Sequence, residues 1–388
     1  MPATPTAMIR LTDISKRFGG SRIAAVAGFS LEVADGETVV LVGPSGSGKT
    51  TILRMINRLI EPSSGTIEVD GTDVMELEAV QLRRRIGYVI QSIGLLPHRT
   101  VAQNIGTLPR LIGWDKARTA TRVSELAAML ELDAELLDRY PSELSGGQRQ
   151  RAGVARALAA DPPVLLMDEP FGAVDPIVRR HLQEQLLALQ GQLRKTIVLV
   201  THDIDEAIRL GDRIAIINTG GHLEQYATPE EILRVPATRF VADFIGAERG
   251  LKRLALAPVR SIEADPGPVV HPGTPAAEAA ATIAAHGLGW AVLVEEGDLL
   301  LGWIDPASLE GRDSVGEADA RPFRATVSPA DSLRDALDAI VTNQTHVAAV
   351  VDAGRYRGIL TLERVSAGLA DRQTAPAAQR APGVEAPR

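Results

Sequence analysis

Residues 43–50, Gly43, Pro44, Ser45, Gly46, Ser47, Gly48, Lys49 and Thr50, stand between the apolar run GETVVLVG and the helical-period run KTTILRMINRLI. A glycine-rich turn between strand and helix lets backbone N–H groups converge on phosphate oxygens, and the helix start adds positive potential. Lys49 is placed to pair with β- and γ-phosphates and Thr50 to ligate Mg²⁺ through its hydroxyl, with Thr51 beside them at the nucleotide. Strand, phosphate loop and helix together predict an α/β fold.

Two further runs, PPVLLMDEP and KTIVLVTH, are apolar over strand length and end in polar residues. Alternation of such runs with helical stretches predicts a parallel sheet flanked by helices, with functional residues at the carboxyl ends of its strands. Asp168 is then placed to hold Mg²⁺ through water, and Glu169 to act as general base on the attacking water. A strand ending in Asp-Glu is by itself more often a solvated turn; the phosphate loop upstream tips the reading toward catalysis.

Strand signals fade between about 93 and 160, where stretches such as RVSELAAMLELDAELLDRY predict an inserted helical subdomain. Within it Leu144 is followed by Ser145, Gly146, Gly147 and Gln148, a second glycine-rich turn ahead of a helix and so a second anion site. One chain has no need of two phosphate loops. A head-to-tail dimer resolves this, the Ser145 segment of one copy closing over the γ-phosphate held by Lys49 of the other.

At 388 residues the chain exceeds one ordinary hydrophobic core, so two domains are expected. Composition shifts after Gly246 and turns Pro- and Gly-rich from Ala257 to Pro275. The expected division is a domain over 1–247, a linker over 248–268 and a second domain over 269–370. That second domain repeats itself: residues from Val269 parallel those from Ala325 as strand, helix, two strands and a further helix, giving units at 269–311 and 320–370 that share a core. The tail, 371–388, offers little to bury and is expected to be disordered.

The formal net charge of −8 argues against a nucleic-acid partner, and the absence of cysteine excludes disulfides and thiolate chemistry. The first residues lack the pattern of a secretory signal, and no uncharged apolar run approaches the ~18–20 residues that cross a bilayer. In residues 248–388, 14 Lys plus Arg face 19 Asp plus Glu, a net of −5, so a strong cationic patch for anionic lipid is not evident.

With LSGGQ and the Asp-Glu strand in place, residues from about Ile9 to Gly246 resemble the nucleotide-binding subunit of ABC transporters. Gln91 after a strand, Asp175 in FGAVD and His202 ending KTIVLVTH fit the same pattern in order and spacing. The resemblance implies ATP and Mg²⁺ as cofactors. It implies that Gln91 senses Mg²⁺ and couples to a membrane partner, that Asp175 links the two active sites, and that His202 touches the γ-phosphate. Phe18, in SKRFGG, occupies the place where the family stacks a ring on adenine, and Val174 stands where many relatives have Leu.

The closer likeness, carried by MINRLIEPSSGTIEVDG and YPSELSGGQRQRAGVARALAADPPVLLMDEPFGAVDP, is to importer subunits for glycine betaine, choline, proline and related osmoprotectants. Each C-terminal repeat resembles a CBS module, the second more closely than the first, whose Trp290 and Trp303 are less usual. This implies a P-loop ATPase of ABC type followed by an α/β tandem CBS domain. It also implies a homodimer working on two transmembrane permease subunits fed by a substrate-binding protein, peripheral on the cytoplasmic face of the inner membrane, with adenine-nucleotide or ionic-strength sensing by the CBS pair. The expected function is the ATPase subunit of such an osmoprotectant importer. The alternatives are an importer of the same mechanism for amino acids or polyamines and, ranked below it, a soluble ABC ATPase outside transport, which would need a long coiled-coil insertion or a second cassette that the chain lacks.

Overall fold

The computed structural model describes residues 7–19, 23–172, 174–343 and 345–374. The chain divides into two compact units, 1–247 and 248–388.

In the first unit the runs read as buried strands form the middle of a six-stranded sheet. Its order is His222–Ala227, Arg213–Asn218, Thr38–Val42, Thr196–Thr201, Val164–Asp168 and Ile86–Val89. All neighbours are parallel except the first pair. Thr38–Val42, Val164–Asp168 and Thr196–Thr201 are buried at every residue, as strands covered on both faces must be. A smaller antiparallel sheet, in the order Val26–Ala34, Ala7–Lys16, Ser64–Val69 and Thr72–Asp73, covers one side. Phe29 and Leu31 from it share a core with Leu41, Ile52, Leu166 and Val200. Each such side chain stabilises the fold by roughly 1.5–3 kcal/mol relative to exposure.

Among the described residues 93–160 hold helices and no strand. The longer helices are Lys116–Met129, N-capped by Asp115, and Gly146–Leu158, N-capped by Ser145. The helical period in RVSELAAMLELDAELLDRY does not run unbroken. Glu131 takes a left-handed φ of 52° and the chain resumes as a 3₁₀ turn over Ala134–Asp138.

The second unit carries two three-stranded sheets, Val269–Val270 with Ala291–Val294 and Leu300–Ile304, and Thr326–Val327 with Val347–Asp352 and Arg355–Thr361. In both, the first pair is parallel and the second antiparallel, and a helix, Ala276–His286 or Leu333–Thr342, makes the parallel crossover. The repeats differ at their ends. The first closes in a short 3₁₀ turn, Pro306–Leu309, stopped before Gly311 with its φ of 72°; the second continues into the helix Leu362–Thr374.

The stretch 248–268, expected as a linker, is folded. Arg249–Leu256 is a helix, and Leu254, Ala257 and Val259 are buried with Leu333, Ala336 and Ile340 of the second repeat. Bridges Pro258 to Ser332 and Asp265 to Ile359 extend the attachment. The Pro and Gly count after Ala257 masked the apolar spacing of Leu251 and Leu254. Of the tail expected to be disordered, 371–374 complete the last helix and 375–388 lie outside the described residues. Among the described residues no helix is long and apolar enough to cross a membrane.

Candidate nucleotide site

The loop 43–50 leaves the carboxyl end of Thr38–Val42 and enters the helix Lys49–Ile56. Two of its glycines are required by shape. At Gly43, with φ 156°, a Cβ would lie 2.0 Å from the Ile217 carbonyl oxygen; at Gly48, with φ 93°, it would lie 2.6 Å from that of Ala25. Lys49, 5% exposed, curls back over the loop and donates to the carbonyls of Gly43 at 2.9 Å and Pro44 at 2.8 Å. Burial lowers its pKa, and the charges of Glu169 and Asp168 oppose that fall.

Thr50 donates from Oγ1 to Oδ1 of Asp168 at 2.8 Å, which joins the start of this helix to the end of Val164–Asp168. Burial pushes the Asp168 carboxyl up; the Thr50 hydrogen bond and the charges of Arg54 and Lys49 pull it back. A hydroxyl and a carboxylate are the hard oxygen donors that suit Mg²⁺, and the two already touch.

Glu169 has a left-handed φ of 45°, and its N–H donates to the Val200 carbonyl at 3.0 Å, a kink that turns the side chain out of the strand's line. Its Oε2 accepts from Gln91 Nε2 at 3.0 Å, and its Oε1 lies 3.5 Å from His202 Nδ1. Gln91, Glu169 and His202 follow the ends of three neighbouring strands, Ile86–Val89, Val164–Asp168 and Thr196–Thr201. A carboxylate flanked by an amide and an imidazole, beside a phosphate loop, is an arrangement able to take a proton from water.

Other expected residues are not gathered there within one copy. Ser145 accepts from the Gln148 N–H at 3.2 Å while Gln148 Oε1 accepts from the Ser145 N–H at 2.8 Å, a closed capping box. Gly146 opens this helix, and a Cβ at Gly147 would lie 2.7 Å from Val178 Cγ1. Among the described residues no hydrogen bond or ion pair joins 145–148 to the phosphate loop. Asp175 caps the helix Pro176–Leu193, accepting from the Ile177 and Val178 N–H groups at 3.1 Å. Phe18 is 44% exposed, its ring 5.4 Å from Lys16 Nζ. Sequence reasoning missed Glu206 and Arg179, which line a small cavity with Glu169, Thr201, His202 and Asp203. The signal that would have found Glu206 is its place three residues after the helix-capping Asp203.

A phosphate loop on an inner strand of a parallel sheet, with a helical insertion whose capped helix opens at Ser145, is the architecture of an ATP-binding cassette. Profiles of known families agree: the ABC transporter profile matches residues 26–172, and the CBS domain profile matches residues 315–371. The chain is 45% identical over 373 residues, 95% of its length and 97% of the relative's, to the osmoprotectant import ATP-binding protein OsmV of Salmonella typhimurium. It is 51% identical over 250 residues, 64% of its length and 80% of the relative's, to the glycine betaine uptake system ATP-binding protein YehX of Escherichia coli. It is 56% identical over 242 residues, 62% and 63% of the two lengths, to the glycine betaine/carnitine/choline transport ATP-binding protein OpuCA of Bacillus subtilis. Among solved structures, a dimeric bacterial ABC transporter cassette superposes with a TM-score of 0.53 at 35% identity, covering 57% of this chain and 99% of that one. This chain belongs to the ATP-binding subunits of the ABC transporter family, and carries a CBS domain toward its C-terminal end.

Proposed function

We propose that the protein is the ATP-hydrolysing subunit of an importer for glycine betaine, choline, carnitine or a related osmoprotectant. The convergence of Gln91 and His202 on Glu169, at 3.0 and 3.5 Å, carries the catalytic half of this reading. Likeness to an osmoprotectant import subunit along 95% of the chain supports the cargo class.

In this reading Lys49 and the loop N–H groups bind the β- and γ-phosphates, and Phe18 stacks on adenine. Thr50, Asp168 and Gln91 would hold Mg²⁺, which would supply positive charge against the phosphates. Glu169 accepts the proton of the attacking water, Gln91 fixes one of its oxygens, and His202 donates toward the γ-phosphate. Ser145, Gly146, Gly147 and Gln148 act on the γ-phosphate of a second copy, and Asp175 meets that copy between the two sites. Dimeric cassettes among the structural relatives, one of them bound to ADP and Pi, support this homodimer. Closure and reopening of the dimer work on two permease subunits fed by a binding protein, with this subunit peripheral on the cytoplasmic face of the membrane.

The test is reconstitution of the full-length chain with its permease in vesicles loaded with ATP and Mg²⁺. Uptake of labelled glycine betaine that stops with Glu169→Gln is expected. Uptake of an amino acid or polyamine in its place overturns the cargo; undiminished uptake by Glu169→Gln overturns the site. We read 269–370 as a tandem CBS pair that tunes this ATPase to adenine nucleotide or ionic strength. Coincident salt titrations of activity for the full chain and a chain ending at Ala247 refute that role.

A further inference from the structure

Glu206 sits in the helix Ile204–Leu210, directly after His202, and is 7% exposed. A Glu at this position of a helix ordinarily folds back on the N–H of the capping residue. Here it does not. The Asp203 N–H donates to Thr201 Oγ1 at 3.1 Å, and the Thr201 hydroxyl donates to Glu206 Oε2 at 2.6 Å. Both chain neighbours of His202 are thereby tied to one buried carboxylate.

The other oxygen points to a different element. Glu206 Oε1 accepts from Gln183 Nε2 at 3.2 Å and faces Arg179 Nε at 3.8 Å. Gln183 and Arg179 belong to Pro176–Leu193, the helix that Asp175 caps, and Arg179 also donates to the Val174 carbonyl at 3.4 Å. A continuous path therefore runs from Val174 through Arg179, Glu206 and Thr201 to His202, and on to Glu169 and Gln91. Burying a carboxylate is costly unless it is paired, and a helix cap alone does not require it. The burial makes sense if the carboxylate holds the two segments in register.

We infer that Glu206 is a positioning residue for hydrolysis, fixing His202 against Glu169 and coupling that pair to the Val174–Asp175 segment through Arg179. The inference rests on the roles proposed for Glu169 and His202. A shift at Asp175, where the second copy is met, would reach the general base of the same chain by this route.

The experiment compares steady-state ATP hydrolysis and nucleotide affinity of the full-length chain for Glu206→Gln, Arg179→Met and the double variant, with Glu169→Gln as reference. Glu206→Gln is expected to lower kcat roughly 10–100-fold, the scale of a misplaced catalytic group, with KM and nucleotide affinity nearly unchanged. The double variant is expected to be no slower than Glu206→Gln, because both act through one path. Wild-type kcat in Glu206→Gln, losses that multiply in the double variant, or affinity falling in step with kcat overturns the inference. Should Glu206→Gln fail to fold, Thr201→Val against Thr201→Ser carries the same test: only the valine variant is expected to lose turnover, and equal rates overturn the path. A fully active Glu169→Gln sinks the underlying site as well; an inactive Glu169→Gln beside an unaffected Glu206→Gln sinks the positioning role alone.

Discussion

Gln91 Nε2 stands 3.0 Å from Glu169 Oε2, an amide and a carboxylate that follow the ends of two adjacent parallel strands. The amide is a neutral donor, so it orients the carboxylate without setting a countercharge beside it. Glu169→Gln retains the shape and loses the proton acceptor. Turnover is expected to fall about 10²–10⁴-fold while ATP binding persists, checked by phosphate release beside equilibrium nucleotide binding.

The phosphate loop separates two kinds of glycine. Gly46, with φ 80°, has open space where a methyl group would stand, whereas at Gly48, with φ 93°, a methyl strikes the Ala25 carbonyl at 2.6 Å. Gly46→Ala is expected to cost about 1–2 kcal/mol for the left-handed backbone alone. Gly48→Ala adds a steric clash and is expected to cost more, with urea denaturation giving the order; equal losses contradict the clash.

Burial raises the pKa of Glu206 above the ordinary 4.5, against the pull of the Thr201 hydrogen bond. A carboxyl whose folded pKa is raised contributes fully to stability below its unfolded pKa, and the contribution is lost as pH climbs through the folded value. Gln cannot titrate. The melting temperature of Glu206→Gln minus that of the wild type is therefore expected to grow as pH rises from 4.5 toward neutrality, followed by calorimetry; a flat difference contradicts burial as the cause.

Leu254 is 3% exposed among second-repeat residues, while Leu251 on the same helix is 41% exposed. Leu254→Ala is expected to cost about 2–5 kcal/mol and Leu251→Ala within about 0.5 kcal/mol. Denaturation followed by Trp290 and Trp303 fluorescence distinguishes them, and matching small losses would return 248–268 to the status of a linker.

The sheet and its phosphate loop were legible because fully buried parallel strands read as unbroken apolar runs, and because Gly43 and Gly48 tolerate no side chain. The place of Asp168 and Glu169 at a strand end followed from the apolar run before them. Arg249–Leu256 was hidden because its apolar face spans barely two turns and the Pro and Gly after it dominate the composition. Glu206 escaped because its partners Arg179 and Gln183 lie more than twenty residues away, a proximity that only the packed helix Pro176–Leu193 creates. Ser145 and Asp175 show the converse: the sequence marks them, yet inside one copy each does no more than cap a helix.

The bridges from Pro258 and Asp265 to the second repeat have a consequence for biosynthesis. When Leu254 leaves the ribosome its partners have not yet been made, and Val365 follows about a hundred residues later, roughly 5–20 s at ordinary elongation rates. During that interval the first repeat can fold as a loop between two halves of its neighbour, while the apolar face of Arg249–Leu256 waits uncovered, and chaperones or nascent-chain aggregation would find it there.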